Sequence, residues 1–393
     1  MDVTQTVPGT ELVRRATELV PLLQKYASWS EENRRMHDEV VEAMAAAGLF
    51  RMRIPKRYGG YESDTRTLTD VTAQLARGDG SVAWTASVWC IPGWMVGMFP
   101  DEVQDEVFGT PDVRVCGTLS PTGSAKLQPG GVLLNGQWGF ISGALHSQWQ
   151  EIIAMGAAPD GTPMPLMMLV PMSDLEVVDD WHTAGMRGSG SVTTVARDVF
   201  VPQERVLPLP AILQGQYASK LNAESPMYRA PLLGVAAASS VGTVMGLARA
   251  AREAFFERLP GRKITYTDYA SQAEAPVTHL QVAEATLKAD QADFHGYRVA
   301  DLTDSKGRSG EPWTLEERVR SRADVGAVCQ LGREAVEVLA RASGGSSVYS
   351  SVPIQRIARD VQTVNLHALM TPQTNFELYG RVLCGLEPNS FYI

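Results

Sequence analysis

The sequence predicts an α+β protein in which a small β domain is inserted between helical segments. Apolar residues recur at helical spacing over about residues 10–112, and again from about 228 to the end. Between about 114 and 212 the pattern changes to short apolar runs separated by Gly, Pro and Asp. The chain has 393 residues, more than one ordinary core accommodates, so two or three packed domains are expected. The pattern divides it at 1–113, 114–214 and 215–393, with no internal repeat and no low-complexity tract.

Taken in order, Leu12, Ala16, Leu19 and Leu23 fall on one face at spacings of four, three and four, which predicts a first helix. Ser30, followed by Glu31 and Glu32, reads as the cap of a second helix running to Ala47 and stopping at Gly48. Arg57-Tyr58-Gly59-Gly60 is a turn, helices resume over 68–76 and 81–98, and Pro100-Asp101 opens a short further one. Strands are predicted at 132–134, 151–155, 166–170 and 192–201, and Pro202, Pro208 and Pro210 mark the exit. Residues 235–252 are rich in Ala, Gly and Ser, which permits close helix packing. Long helices follow at 278–299 and 315–342, Gly344-Gly345 breaks the pattern, and a last helix starts at about 353.

Composition excludes several functions. The net charge of −9 carries no basic run, which argues against nucleic acid or an anionic membrane as partner. Residues 1–6 have neither a basic nor an apolar leader region, so no secretory signal is read. The small and apolar stretch 231–248 contains Ser239, Ser240 and Thr243 and reads as a buried helix rather than a span. Cys90, Cys116, Cys329 and Cys384 have neither CxxC nor disulfide-framework spacing, which points to the cytoplasm and reduced thiols. No HExxH or Cys/His cluster is present, so no metal site is expected, and there is no P-loop and no GxSxG elbow. Gly188-Ser189-Gly190-Ser191 is not GxGxxG and precedes a strand, which counts against a Rossmann site.

The chemistry concentrates in residues 115–149. Cys116-Gly117-Thr118-Leu119-Ser120-Pro121-Thr122-Gly123-Ser124-Ala125 and Trp138-Gly139-Phe140-Ile141-Ser142-Gly143 set small and hydroxyl residues beside two aromatics at likely strand ends. Backbone can approach a flat ring closely there, and hydroxyls can reach its polar edge. These two segments resemble the flavin-facing motifs of the acyl-CoA dehydrogenase superfamily. Gly185-Met186-Arg187-Gly188-Ser189-Gly190-Ser191 with Arg197-Asp198-Val199-Phe200-Val201-Pro202 resembles its closing β-domain motif, the stretch from Ala47-Gly48-Leu49 to Gly59-Gly60 its N-terminal signature, and Arg359-Asp360 the pair that opens its last helix. The resemblance covers nearly the whole chain. It implies an N-terminal helical domain, a central β-sandwich or barrel and a C-terminal four-helix bundle. One departure decides the branch: where many acyl-CoA dehydrogenases carry Tyr-Glu, this chain has His367-Ala368, and alanine cannot take a proton. Ser142-Gly143 with His146, and Arg359-Asp360 with His367, resemble instead the flavin-dependent monooxygenases of this fold, the oxygenase halves of two-component systems.

That resemblance implies reduced flavin, FADH2 or FMNH2, delivered by a separate reductase, and dioxygen used through a flavin C4a-hydroperoxide. It implies hydroxylation of a phenolic, aromatic or polyketide-like small molecule; N-oxygenation of an amine such as an amino sugar is the alternative, and acyl-CoA dehydrogenation a lesser one. Ser142 stands where the family's Thr meets flavin N5. Thr118, Ser120, Gly143, Arg262 and Arg359 fall on cofactor-contacting motifs, with Arg262 at a position that reaches a flavin phosphate across a subunit interface or is simply solvated. Phe140 and Trp138 cover the ring or belong to the β core. His367 is the expected catalytic base, forming the substrate phenolate, with Ser120 holding the substrate hydroxyl. His146 contacts substrate or fixes its loop. Trp94 lines the substrate pocket or is core. A homotetramer is the implied assembly.

Overall fold

The computed structural model describes residues 7–158, 160–390 and 392–393. The leader reading on residues 1–6 therefore lies outside the described residues. Five helices come first: α1 (Gly9–Asn33), α2 (Asp38–Ala46), α3 (Thr65–Gly78), α4 (Gly80–Val96) and α5 (Asp101–Phe108). Seven strands follow: β1 (Val115–Gln128), β2 (Gly131–Ile141), β3 (Trp149–Ala157), β4 (Pro163–Pro171), β5 (Glu176–Val178), β6 (Val192–Pro202) and β7 (Val206–Pro208). The chain closes with α6 (Leu209–Leu213), α7 (Pro226–Arg229), α8 (Leu232–Arg258), α9 (Pro276–Ser309), α10 (Leu315–Ala342), α11 (Pro353–Val364) and α12 (Pro372–Leu383).

Three expectations need correction. Ser30 does not cap a second helix; it is 1% exposed and extends the buried stripe Leu12, Ala16, Val20, Leu23, Ala27 of α1. Packing of that stripe carries α1 through to Asn33, where Arg34 turns left-handed at φ +55°. The start of α2 is capped instead by His37, whose Nδ1 accepts from Glu39 N–H at 3.2 Å while its ring stacks on Tyr26 at 3.9 Å. The segment at 116–125 is the body of a fourteen-residue strand rather than a strand end. The last helix is two helices, because Asn365 ends α11 and Pro372 at the first turn of α12 starts afresh.

The strands form one mixed sheet in the order β5-β6-β2-β1-β3-β4-β7. All neighbours are antiparallel except β1 and β3. At β3 the sheet is buried on both faces over residues 149–154. Along β3, Gln150, Ile152 and Ala154 point one way, with Trp138, Ile141 and Val170 in the main core. Trp149 and Ile153 point the other way, into a second core built on Trp94, Phe99, Tyr228 and Leu232. Helix α8 has the length and mean hydropathy (1.4) of a membrane span, but 89% of its apolar window is buried inside the protein. Its glycines explain how: a Cβ at Gly242 or Gly246 would meet the α3 backbone oxygens of Thr69 or Ala73 at 2.4 or 2.3 Å. Helix α3 thus lies directly on α8, and α4 follows it through Asp79, which caps α4 by accepting from Ser81 N–H at 2.7 Å.

Candidate active site

Helix α4 brings the site together. Trp84, 8% exposed, donates its Nε1–H to Ser142 Oγ at 3.0 Å and sets its ring edge-on to His367 at 5.1 Å between centroids. Ser142 is held because β2 ends at Ile141 and turns through Gly143 at φ +74°. A side chain at Gly143 would strike Trp89 Nε1 at 2.5 Å and Thr85 at 2.6 Å. This glycine thus serves the close approach of α4. Ser142 Oγ also lies 2.7 Å from Ser191 Oγ, which lies 2.7 Å from Ser189 Oγ.

His367 sits in the turn between α11 and α12. Its carbonyl accepts from Met370 N–H (2.8 Å), Thr371 N–H (3.0 Å) and Thr371 Oγ1 (3.1 Å), so the turn is closed around it. Its Nδ1 accepts from Leu369 N–H at 3.3 Å. The neutral ring therefore carries its proton on Nε2 and offers a donor. Crowding in the recess, aided by the charge of Arg322, depresses the pKa to about 4, so the ring is neutral at pH 7. The side chain nonetheless reaches solvent in the isolated chain. Arg322 is 7% exposed, and its described hydrogen bonds go to neutral oxygens, Asn375 Oδ1 and Tyr392 O, each at 2.7 Å. The imidazole thus offers a donor within the electrostatic reach of a buried cation, a setting that favours a negatively charged oxygen. The base role expected for His367 is the one this geometry disfavours, since Nδ1 is occupied and the ring is weakly basic.

Phe140, beside Ser142, is 75% exposed with φ +63°, a left-handed conformation that costs a bulky residue strain. It leans edge-on to Trp181 at 5.9 Å and presents a free face. Thr118 and Ser120 stand where β1 loses register with β3, between Thr118 and Gly123, and their hydroxyls meet at 3.4 Å. Ser120 is exposed, and the backbone beside it is tied down by Tyr392, whose hydroxyl donates to Leu119 O at 2.9 Å.

Other expected site residues are elsewhere. Trp138 is fully buried and donates to Ile153 O at 2.8 Å; a side chain at Gly123 would strike it at 2.3 Å, so it fills the sheet core and covers no ring. Trp94 is fully buried too, stacked with Tyr228 at 5.9 Å and bonded to Met227 O at 3.0 Å, so it lines no pocket. Arg359 bonds Ala184 O, Glu31 and Gln355, joining α11 to α1 and the 184 loop. Arg262 lies past the end of α8 and donates to Ser343 O. His146 lies at the seam between the sheet and α2, with Nδ1 3.9 Å from Asp38 and Nε2 buried without a partner. No described bond joins Arg262 or His146 to the Ser142–His367 group. Sequence reasoning missed Trp84, Ser189, Ser191 and Arg322. The two serines stand inside the quoted motif 185–191 and could have been found; Arg322 had no local signal.

The fold is shared with known proteins. Residues 12–109 match the family model of the acyl-CoA dehydrogenase N-terminal domain, and residues 238–372 that of the C-terminal domain. These models and the helix–sheet–helix order define the class, a protein of the acyl-CoA dehydrogenase fold. Within it, the chain is 31% identical to a pigment production hydroxylase of Rhodococcus sp., with 97% of each chain covered. It is 30% identical to the oxygenase component of an FADH2-dependent resorcinol hydroxylase of Rhizobium sp., over 99% of this chain and 97% of that one. The structure of XiaF from Streptomyces sp., in complex with FADH2 and glycerol, superimposes with a TM-score of 0.91 at 32% identity, covering 97% of each. The chain is an enzyme, and it belongs to the flavin-dependent monooxygenase oxygenase components of the acyl-CoA dehydrogenase superfamily.

Proposed function

We propose that this enzyme takes reduced flavin from a separate reductase and uses it with dioxygen to hydroxylate a phenolic small molecule. The observation that carries the reading is the pairing of Ser142 and His367 across Trp84, with a donor-presenting imidazole in the field of the buried Arg322. FADH2 is the flavin proposed, because the resorcinol hydroxylase and XiaF are both named with it. Residues and cofactor fit: Phe140 offers an exposed aromatic face next to Ser142, and Thr118 and Ser120 offer hydroxyls at a strand irregularity. Bound reduced flavin supplies the electrons that activate dioxygen for transfer to the ring.

The chain's own residues do the rest. Ser142 holds the N5 edge, and Phe140 shields the ring from water. His367 donates Nε2–H to the substrate oxygen, and with Arg322 it favours the phenolate, the more nucleophilic form. Ser120 orients that oxygen. The amine and acyl-CoA readings are not favoured: the named relatives are hydroxylases, and Ala368 offers no carboxylate.

A division into units 1–113, 114–214 and 215–393 belongs to this reading, supported by the change to strands at Val115 and back to helices at Leu209. So does a homotetramer in the cytoplasm. Val277, Leu280, Leu287 and Phe294 are 48–73% exposed at helical spacing along α9, an apolar face that a second copy would cover. The test is product formation from resorcinol-type phenols with FAD, NADH and an added flavin reductase. Hydroxylation that stops without dioxygen or without the reductase supports the proposal; anaerobic flavin bleaching by an acyl-CoA thioester rejects it.

A further inference from the structure

Five buried groups form one hydrogen-bonded chain. Trp84 Nε1 meets Ser142 Oγ at 3.0 Å, Ser142 meets Ser191 at 2.7 Å, Ser191 meets Ser189 at 2.7 Å, and Ser189 Oγ meets the Met186 carbonyl at 2.7 Å. A hydroxyl has one hydrogen to give and two lone pairs to offer. That inventory fixes the direction of every link. The Met186 carbonyl only accepts, so Ser189 spends its hydrogen there. Ser189 then accepts from Ser191, which accepts from Ser142. The Trp84 N–H only donates, so it fills one lone pair of Ser142. Ser142 is left with no hydrogen to give and one lone pair open.

The far end of the chain is firmly anchored. Met186 holds the left-handed region at φ +55°. Its carbonyl also accepts from Trp181 Nε1 (3.0 Å) and Ser189 N–H (3.1 Å), and its own N–H donates to Asp360 Oδ1 at 2.6 Å. Ser142, Ser189, Ser191 and Asp360 are each at most 4% exposed, so water does not compete for these bonds.

We infer that Ser189, Ser191 and Met186, anchored by Asp360, are positioning residues that make Ser142 an acceptor only and thereby select reduced over oxidised flavin. The reduced ring carries a hydrogen at N5, and the oxidised ring carries a lone pair there. An acceptor-only oxygen bonds the first and opposes the second. The selection lets the site hold the incoming cofactor and release it once it is spent. This rests on the placement of Ser142 at N5 proposed above.

The test compares dissociation constants for oxidised FAD, by fluorescence quenching in air, with those for reduced FAD, by anaerobic titration. Ser142→Ala weakens binding of reduced FAD. Ser191→Ala frees the Ser142 hydrogen to face the ring, and the ratio of the two constants narrows by about 3–10-fold, one net hydrogen bond. Ser191→Thr keeps a hydroxyl in the chain and restores the ratio, which a packing role for Ser191 would not do. Ser189→Ala relaxes the direction from one link further away and gives the same narrowing, which serves where Ser191→Ala does not fold. A wild-type ratio in folded Ser191→Ala and Ser189→Ala, with reduced FAD weakened in Ser142→Ala, overturns the inference alone. Wild-type binding of reduced FAD by Ser142→Ala overturns both the inference and the placement of Ser142.

Discussion

His146 and His367 are both held neutral, with pKa values pushed down to about 4, and they stand in opposite situations. In each the first cause is burial and the second a nearby arginine, Arg35 for His146 and Arg322 for His367. His146 is wedged at the seam of the sheet and α2, its side chain 9% exposed and its Nε2 enclosed without a partner. Its backbone carbonyl takes Arg114 Nε, so the residue ties the 144–146 turn to the start of the sheet. His367 has its Nδ1 satisfied by its own turn and its Nε2 open to the recess beside Trp84. A depressed pKa therefore does not single out the histidine proposed to act on substrate. What sets His367 apart is a free nitrogen at an accessible side chain.

The largest expected effect lies at His367. His367→Ala should keep flavin binding and lower oxygen transfer by about 10²-fold, the scale of one oriented donor lost at developing charge. His367→Asn keeps an amide donor and should recover part of that loss. A base role predicts no recovery, because an amide takes no proton. The defect should shrink as pH rises toward the phenol's own pKa, where the substrate ionises unaided. Single-turnover mixing of reduced FAD, dioxygen and substrate across pH reads all three. Equal product yields from wild type and His367→Ala at neutral pH would remove His367 from the site.

Next comes the serine across Trp84. Ser142→Ala should raise hydrogen peroxide release at the expense of product by about tenfold, the loss of one hydrogen bond to N5. It also leaves Trp84 Nε1 and Ser191 without their partner in a buried setting, so the melting temperature should fall as well. Peroxide assays beside a melting curve separate the two. A lower melting temperature with unchanged peroxide release would make Ser142 a packing residue, as His146 is.

The ends of this comparison differed in legibility. Periodicity located most helices and four of the strands, because a buried stripe or an alternating face is written locally. It missed β5 and β7, three-residue edge strands too short to alternate, and it put the body of β1 at strand ends because its Gly, Ser and Thr lack the apolar signal. His367 and Ser142 were legible through motif order. Their setting was not: Trp84, Ser191 and Arg322 approach from 58, 49 and 45 residues away, and only packing brings them in. Trp94 and Trp138 show the converse. In the sequence Trp138 looks like a ring cover and Trp94 like a pocket wall, yet both are fully buried with their N–H groups bonded to backbone.

The smallest effect is at His146, and it appears in stability rather than catalysis. Its folded pKa, about 4, lies below its ordinary value of 6.5, so between those pH values the unfolded chain binds more protons than the folded one. Stability must then fall as pH drops through that window and level off below about pH 4. For one such group the loss between pH 6.5 and pH 5 is about 1.5 kcal/mol. His146→Leu cannot take the proton and should lose that much less over the same interval, measured by urea unfolding at each pH. His367 contributes in the same direction, but it is accessible in the isolated chain and solvent screens it. His367→Ala should therefore flatten the acid limb less than His146→Leu does, while cutting oxygen transfer far more. If His146→Leu instead lowers oxygen transfer with coupling unchanged and leaves the acid limb as steep as in wild type, the enclosed histidine is the working one, and the contrast between the two sites is reversed.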